Sequence, residues 1–152
     1  MGRDEMTVAE AVQAELMLFD THTLVWYVEG SQRIGATTRE AMRLGSPDDR
    51  VLVSAITPWE IALLVSKKRL LLSSDVMDWV NEVLAKPGIS LVPLEPKIAI
   101  ASTRLPFDMH PDPADRILVA TARRFGATLV TADRALLDLA AQGYFKVRDA
   151  TQ

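Results

Sequence analysis

The stretch HPDPADRILVATARRFGATLVTAD, residues 110–133, decides the architecture of this chain. Its first half reads as an amphipathic helix. Asp112 stands at the N-cap, Pro113 at the first helical position, Asp115 at the third, and Gly126 at the stop. ATLVTAD, 127–133, then reads as a short apolar strand with its exit turn. A helix that feeds a strand through so short a link runs antiparallel to it. The first turn of the helix, with Asp115, therefore lies over the carboxyl edge of the strand that ends near Asp133.

The same alternation extends in both directions. LMLF, 16–19, is an apolar run ending at Asp20, as expected of a strand covered on both faces. THTLVWYVEG then reads as a helix ending at Gly30, and RIGATTREAMRL as a second, stopped by Gly45 and Pro47. VLVSA, 51–55, is the next strand. It leads into the helix TPWEIALLVSKKRL, with Thr57 as N-cap, Pro58 at the first position and Glu60 at the third. DVMDWVNEVLAK is an amphipathic helix, ISLVPL a strand and EPKIAIASTRL a helix. Beyond Asp133, RALLDLAAQG reads as a helix and YFKV, 144–147, as the last strand. At the amino end TVAE, 7–10, forms a capping box that predicts a short helix. The pattern defines an α/β fold of three layers, with a central, mostly parallel four- or five-stranded sheet and helices on both faces.

Composition narrows the function. The 152 residues fit one domain, and 49% apolar content fits a globular one. A formal net charge of -3 argues against holding nucleic acid by bulk electrostatics, yet leaves room for local contacts to a few phosphates. The chain has no cysteine, which excludes disulfides, thiolate metal sites and cysteine nucleophiles. No apolar run reaches the roughly 18 residues of a membrane span, and MGRDEMTVAE lacks the apolar stretch of a signal peptide. A cytoplasmic location without membrane contact is the expectation.

In open parallel sheets, ligands bind outside the carboxyl ends of the strands. Asp20 ends the first strand, Glu60 lies just beyond the second, Asp133 just beyond the fourth, and Asp115 above the fourth. If the first and fourth strands are neighbours, four carboxylates share one rim. Each has a plain structural role open to it. Glu60 and Asp115, at the third helical position, would each gain about 0.3–1 kcal/mol from the helix dipole. Asp133 can cap, with Thr131 as its companion. Asp20 is harder to explain so, because a charge abutting an apolar strand is costly unless compensated. Carboxylates crowded on one rim raise one another's pKa unless a cation sits between them. Oxygen-only ligands favour Mg²⁺ or Mn²⁺ over zinc. A metal that activates water and neutralises phosphate charge makes the rim suited to phosphoryl transfer to water.

MLFDTHTLVW, SAITPWEIALLVSKKRL, LPFDMHPDPADRILVATA and LVTAD, in that order, resemble the successive signatures of PIN-domain ribonucleases, in particular VapC-type toxins of bacterial toxin–antitoxin pairs. The resemblance runs from about Met17 to Val147. It implies a PIN-like nuclease domain over 16–148, preceded by an extension over 1–15 and followed by a tail over 149–152. It also implies that Asp20, Glu60, Asp115 and Asp133 are the catalytic quartet holding Mg²⁺ or Mn²⁺, with Thr21, Ser54 and Thr131 as supporting hydroxyls. Asp112 looks like the helix cap of the DPADR motif. The function implied is a metal-dependent endoribonuclease, the toxin of a type II pair: a homodimer held inactive by a small antitoxin protein. Such a partner would place apolar side chains on the early helices, where Leu24, Trp26, Val28, Ile61, Leu64 and Val65 are the candidates. Two departures stand out: sixteen residues precede Met17, and Ala114 stands where relatives often carry an aromatic residue.

Other residues carry weaker signals. Arg116 is placed to pair with an acid of the site or with phosphate. Lys67, Lys68 and Arg69 form a basic cluster that suits either a solvated helix end or an RNA backbone, and His110 either a plain loop or a substrate phosphate. His22 reads as a structural histidine on an apolar helix. Trp26, Trp59 and Trp79 read as packing residues. The competing functions are a metal-dependent DNA nuclease or phosphoesterase, and a non-catalytic binding module. The latter would be expected to have lost one of the four acids.

Overall fold

The computed structural model describes residues 15–44 and 51–152. Five strands, β1 (Met17–Phe19), β2 (Val51–Ser54), β3 (Ile89–Val92), β4 (Thr128–Thr131) and β5 (Lys146–Asp149), form one sheet in the order β3-β2-β1-β4-β5. Every neighbouring pair is parallel. Seven helices connect them among the described residues: α1 (Thr21–Val28), α2 (Ala36–Leu44), α3 (Ile56–Ser66), α4 (Val76–Leu84), α5 (Pro96–Ser102), α6 (Pro113–Phe125) and α7 (Arg134–Ala140). The amino-terminal helix expected from TVAE lies outside the described residues, as do Gly45 and Pro47.

Alternation along each strand builds the two cores. Leu18, Leu52 and Leu129 face one side, where Ile98 of α5, Ile117 and Leu118 of α6 and Leu136 of α7 cover them. Met17, Phe19, Val51, Val53 and Val130 face the other, against Leu24 and Val25 of α1, Ile61 of α3 and Trp79 and Val83 of α4. Strands that are apolar on both faces can be stable only when covered on both faces. The three-layer arrangement follows from that.

The chain enters at the middle of the sheet, builds outward through β2 and β3, then returns to build β4 and β5 on the opposite side of β1. The reversal of strand order therefore falls between β1 and β4. Met17 pairs with Thr128, Leu18 with Leu129 and Phe19 with Val130. This places Asp20 and Thr131 at adjacent carboxyl ends, and the Asp20 N–H donates to the Val130 carbonyl at 3.1 Å. Crossovers leave on opposite sides of such a point, so a crevice opens at the strand ends.

Two boundaries differ from the sequence expectation. The last strand is 146–149, not 144–147: Phe145 is buried in the core, and its ring stacks with Phe107 at 5.9 Å before the strand begins. Helix α3 starts at Ile56, because Ser54 Oγ accepts from the Ile56 N–H at 3.2 Å and starts the helix ahead of Thr57. Thr57 is thus not the N-cap but a helical residue, buried, with its hydroxyl unpaired among the described residues. Glu60 consequently occupies the fifth helical position rather than the third.

Candidate active site

A cleft of about 460 Å³ opens at the carboxyl ends of β1 and β4, lined by Asp20, Thr21, His22, Thr23, Trp26, Glu60, Asp112, Asp115, Ala132 and Asp133. Each acid arrives by a different route. Asp20 leaves β1 and caps α1, its Oδ1 accepting from the Thr23 N–H at 3.0 Å and the Thr23 hydroxyl at 2.6 Å. Its Oδ2 accepts from the Thr131 hydroxyl at 2.5 Å. These donors compensate the charge at the end of an apolar strand.

Asp133 likewise caps α7. Its Oδ1 accepts from the N–H groups of Ala135 at 2.8 Å and Leu136 at 3.3 Å, and its own N–H donates to Thr131 Oγ1. Thr131 thus ties the two acids together across β1 and β4. Asp112 caps α6 through Oδ1, which accepts from the N–H groups of Ala114 and Asp115, as the sequence leads one to expect. It also lines the cleft, making a fifth carboxylate there.

Glu60 and Asp115 are less well compensated. The Thr21 hydroxyl donates to Glu60 Oε1 across the cleft. Burial nevertheless pushes the Glu60 carboxyl above its ordinary range, and the negative charges of Asp112 and Asp20 add to the effect. The Asp115 carboxyl is pushed up to about 7, first by burial and then by Asp112, Glu60, Asp133 and Asp20. Its Oδ2 lies 3.5 Å from His110 Nε2. Five acids therefore share one electrostatic environment, and Asp115 carries the largest part of its cost. Carboxylates perturbed by desolvation and like charges inside a cleft cluster at functional sites, although structural networks produce such shifts too.

Other residues depart from expectation. Arg116 does not reach the acids: Nε donates to the Ser102 carbonyl at 2.9 Å and Nη1 to that of Met109 at 3.0 Å, bracing α5 and the loop before α6. Ser54 caps the start of α3 and is absent from the cleft wall. His22 is not a buried structural histidine; it is exposed and lines the cleft. Lys67, Lys68 and Arg69 are exposed at the end of α3. Leu24, Ile61 and Trp79 belong to the core, whereas Trp26, Val28, Leu64 and Val65 are half-buried and Trp59 is exposed. Thr23 is a site residue that the motifs alone do not single out. Its signal is the Asp20-x-x-Thr23 spacing, which puts a hydroxyl over the cap.

The donor chemistry fits a hard divalent cation. All five groups are carboxylates, and positive charge would relieve the raised pair, Glu60 and Asp115. Among the described residues no three of them form a closed ligand set. Mg²⁺ commonly uses one or two carboxylates and keeps several waters, so a closed cage is not required.

An α/β sheet whose switch point gathers acids in this way defines a nuclease-like PIN architecture, and the chain matches the PIN domain family over residues 17–142. It belongs to that family. Among curated proteins it is similar to Ribonuclease VapC22 of Mycobacterium tuberculosis (strain ATCC 25618 / H37Rv), at 32% identity over 120 residues, 79% of this chain and 88% of that protein. Similar folds occur in a toxin–antitoxin complex from Klebsiella pneumoniae (TM-score 0.60, 19% identity, 88% of this chain and 97% of that one). VapBC2 from Rickettsia felis, bound to a DNA fragment from its promoter, matches with TM-score 0.62 at 14% identity, covering 88% and 97%. FitAcB from Neisseria gonorrhoeae matches with TM-score 0.60 at 20% identity, covering 89% and 98%.

Proposed function

We propose that this protein is a VapC-like endoribonuclease that uses Mg²⁺ or Mn²⁺ to hydrolyse RNA phosphodiester bonds, as the toxin of a type II toxin–antitoxin pair. The observation that carries the reading is the convergence of Asp20, Glu60, Asp112, Asp115 and Asp133 on one cleft at the β1–β4 switch point. The likeness to a ribonuclease at 32% identity supports RNA as the substrate, and the kinship in fold with toxin–antitoxin complexes supports an antitoxin partner. The catalytic unit begins at 16, with 1–15 as an extension, and it takes in 149–152 instead of leaving them as the expected tail. Asp149 ends β5, Ala150 is buried in the core, and the Gly35 and Thr38 N–H groups donate to the Ala150 and Gln152 carbonyls. The protein works in the cytoplasm as a homodimer.

Asp20, Glu60, Asp115 and Asp133 are the residues that would hold the cation. When bound, a divalent cation supplies charge that offsets the carboxylates and the phosphate oxygens and makes water in the cleft more acidic. The chain's own contribution is positional. Thr131 and Thr23 fix both oxygens of Asp20, Thr21 orients Glu60, and Asp112 holds the first turn of α6 so that Asp115 faces the cleft. Without the cation the Asp115 carboxyl is pushed up to about 7 by burial and the neighbouring acids, so it would give up its proton on holding the metal, and His110 Nε2 lies 3.5 Å from its Oδ2. The antitoxin would bring a basic residue to the acidic rim and apolar side chains to Trp26, Val28, Leu64 and Val65.

The test is cleavage of RNA and DNA side by side with Mg²⁺ or Mn²⁺, together with growth on expression. The expected result is RNA cleavage that requires the metal, and growth arrest relieved by Asp20→Asn and by co-expression of a small neighbour-encoded protein. Harmless expression and no RNA cleavage with Mn²⁺ would shift the reading to a phosphoesterase acting on another substrate.

A further inference from the structure

The acidic cleft repels the polyanion it is meant to cut, so the affinity for RNA has to come from beside it. Several basic side chains are already engaged among the described residues. Arg39 and Arg116 donate to backbone carbonyls, Arg43 pairs with Glu40, Arg134 with Asp138 and Asp149, and Arg148 lies 3.7 Å from Glu15. Lys67 and Arg69 are set apart by their position. They line a second groove, of about 570 Å³, that shares Glu60 and Asp112 with the acidic cleft. Trp59 forms part of its wall and is 56% exposed.

The groove is set by helix geometry. Trp59, Leu63 and Lys67 follow one another at four-residue spacing on one face of α3, spanning about 12 Å of helix axis. The helix then ends in a reversal: the Lys68 N–H donates to the Val65 carbonyl and the Arg69 N–H to that of Leu64. Lys68 takes a left-handed conformation, φ 59, where glycine is the usual residue. That reversal turns Arg69 back onto the groove beside Lys67.

We infer that this groove is the binding track for unpaired RNA next to the cleavage site: the Trp59 indole stacks on a base flanking the scissile phosphate, and Lys67 and Arg69 hold the adjoining backbone phosphates. The inference rests on the proposed ribonuclease function and deepens it. An exposed aromatic face with cations beyond it is how single strands are held without sequence readout. A stacked base must leave its helix, so single-stranded RNA is preferred over duplex.

The experiment uses the full chain with a short fluorescein-labelled single-stranded RNA, the same sequence closed into a hairpin, and Mn²⁺. Trp59→Ala should raise KM for the single strand about tenfold, as the loss of one stacked base does, with kcat changed far less. Trp59→Phe should recover most of the loss. Binding should quench tryptophan fluorescence clearly more in the wild type than in Trp59→Phe, where half-buried Trp26 on the cleft wall and buried Trp79 are the indoles that remain. The double variant Lys67→Ala/Arg69→Ala should lower the salt slope of log Kd by about 0.7 per lost contact. Circular dichroism checks that the folds are retained. Wild-type cleavage with unchanged KM in Trp59→Ala, or a change in self-association or protein binding instead of RNA affinity, would overturn the track and leave the ribonuclease reading standing. Failure of the wild type to cut or bind any RNA would overturn both.

Discussion

Helices α3 and α6 each deliver a carboxylate to the cleft, and they begin in opposite ways. Helix α6 opens with an aspartate cap, a proline at its first position and Asp115 at its third, so local chemistry alone places the acid. Helix α3 has no side-chain bond from its N-cap, buries an unpaired hydroxyl at Thr57, and carries Glu60 in its second turn. There the carboxylate is beyond the reach of capping and is held by Thr21 from another element. The difference bears on function. Asp115 stands at a helix position where acids are common, although burial and the neighbouring carboxylates disfavour its charge there, whereas at Glu60 the helix start offers no structural reason at all.

The largest expected effect is on chemistry. Asp115→Asn and Asp20→Asn should each reduce RNA cleavage in Mn²⁺ by more than the roughly 10–100-fold that losing an outer-shell partner of a metal ligand costs. Glu60→Gln should do the same if its role is ligation. Metal-dependent cleavage at the wild-type rate by Glu60→Gln would collapse the contrast between the two helices.

A pH effect follows next in size. The folded protein keeps a proton on Asp115 up to about pH 7, while the unfolded chain loses it near the ordinary carboxyl value of 3.8. Between those values the unfolded state binds fewer protons, so the stability of metal-free protein falls as pH rises through the window. At about 1.4 kcal/mol for each tenfold change in proton affinity, the total is a few kcal/mol. Glu60, raised as well, acts in the same direction. Urea unfolding from about pH 4 to 8 should show the decline, reduced in Asp115→Asn and reduced in wild type by added Mg²⁺.

Smaller effects separate the helix starts directly. Asp112→Ala should cost up to about 1 kcal/mol of stability by uncapping α6, offset in part because its charge no longer bears on Asp115 and Glu60, while Glu60→Gln should cost none and relieve repulsion. Thr57→Val should gain up to about 1 kcal/mol by replacing a buried, unpaired hydroxyl with an apolar isostere. A loss of stability in Thr57→Val would mean that the hydroxyl has a partner after all.

Much of this is legible in the sequence, for reasons the two helices make clear. Capping boxes, apolar runs and punctuating glycines are local. They mark α6, the four strands before the last, and the topology that brings Asp20, Glu60, Asp115 and Asp133 to one edge. What depends on contacts across the fold is not visible there. Ser54 shifts the start of α3, and Arg116 is drawn to carbonyls of α5 and its loop rather than to the acids. Phe145 is drawn into the core, which moves β5 later than the run YFKV suggests. Thr23 falls between, since its bond to Asp20 is local and its bond to the Val130 carbonyl crosses the sheet.

Whether these acids share a divalent cation is tested most directly by calorimetric titration of Mn²⁺ into metal-free protein near pH 7. Run in buffers of different ionisation enthalpy, the titration reports both binding and protons released. Wild type should bind saturably with release of a fraction of a proton, because Asp115, poised at about 7, must ionise to accept the cation. Asp115→Asn should lose the proton release and most of the affinity. Absence of saturable binding in wild type, or the same affinity and proton release in Asp115→Asn, would contradict a shared cation.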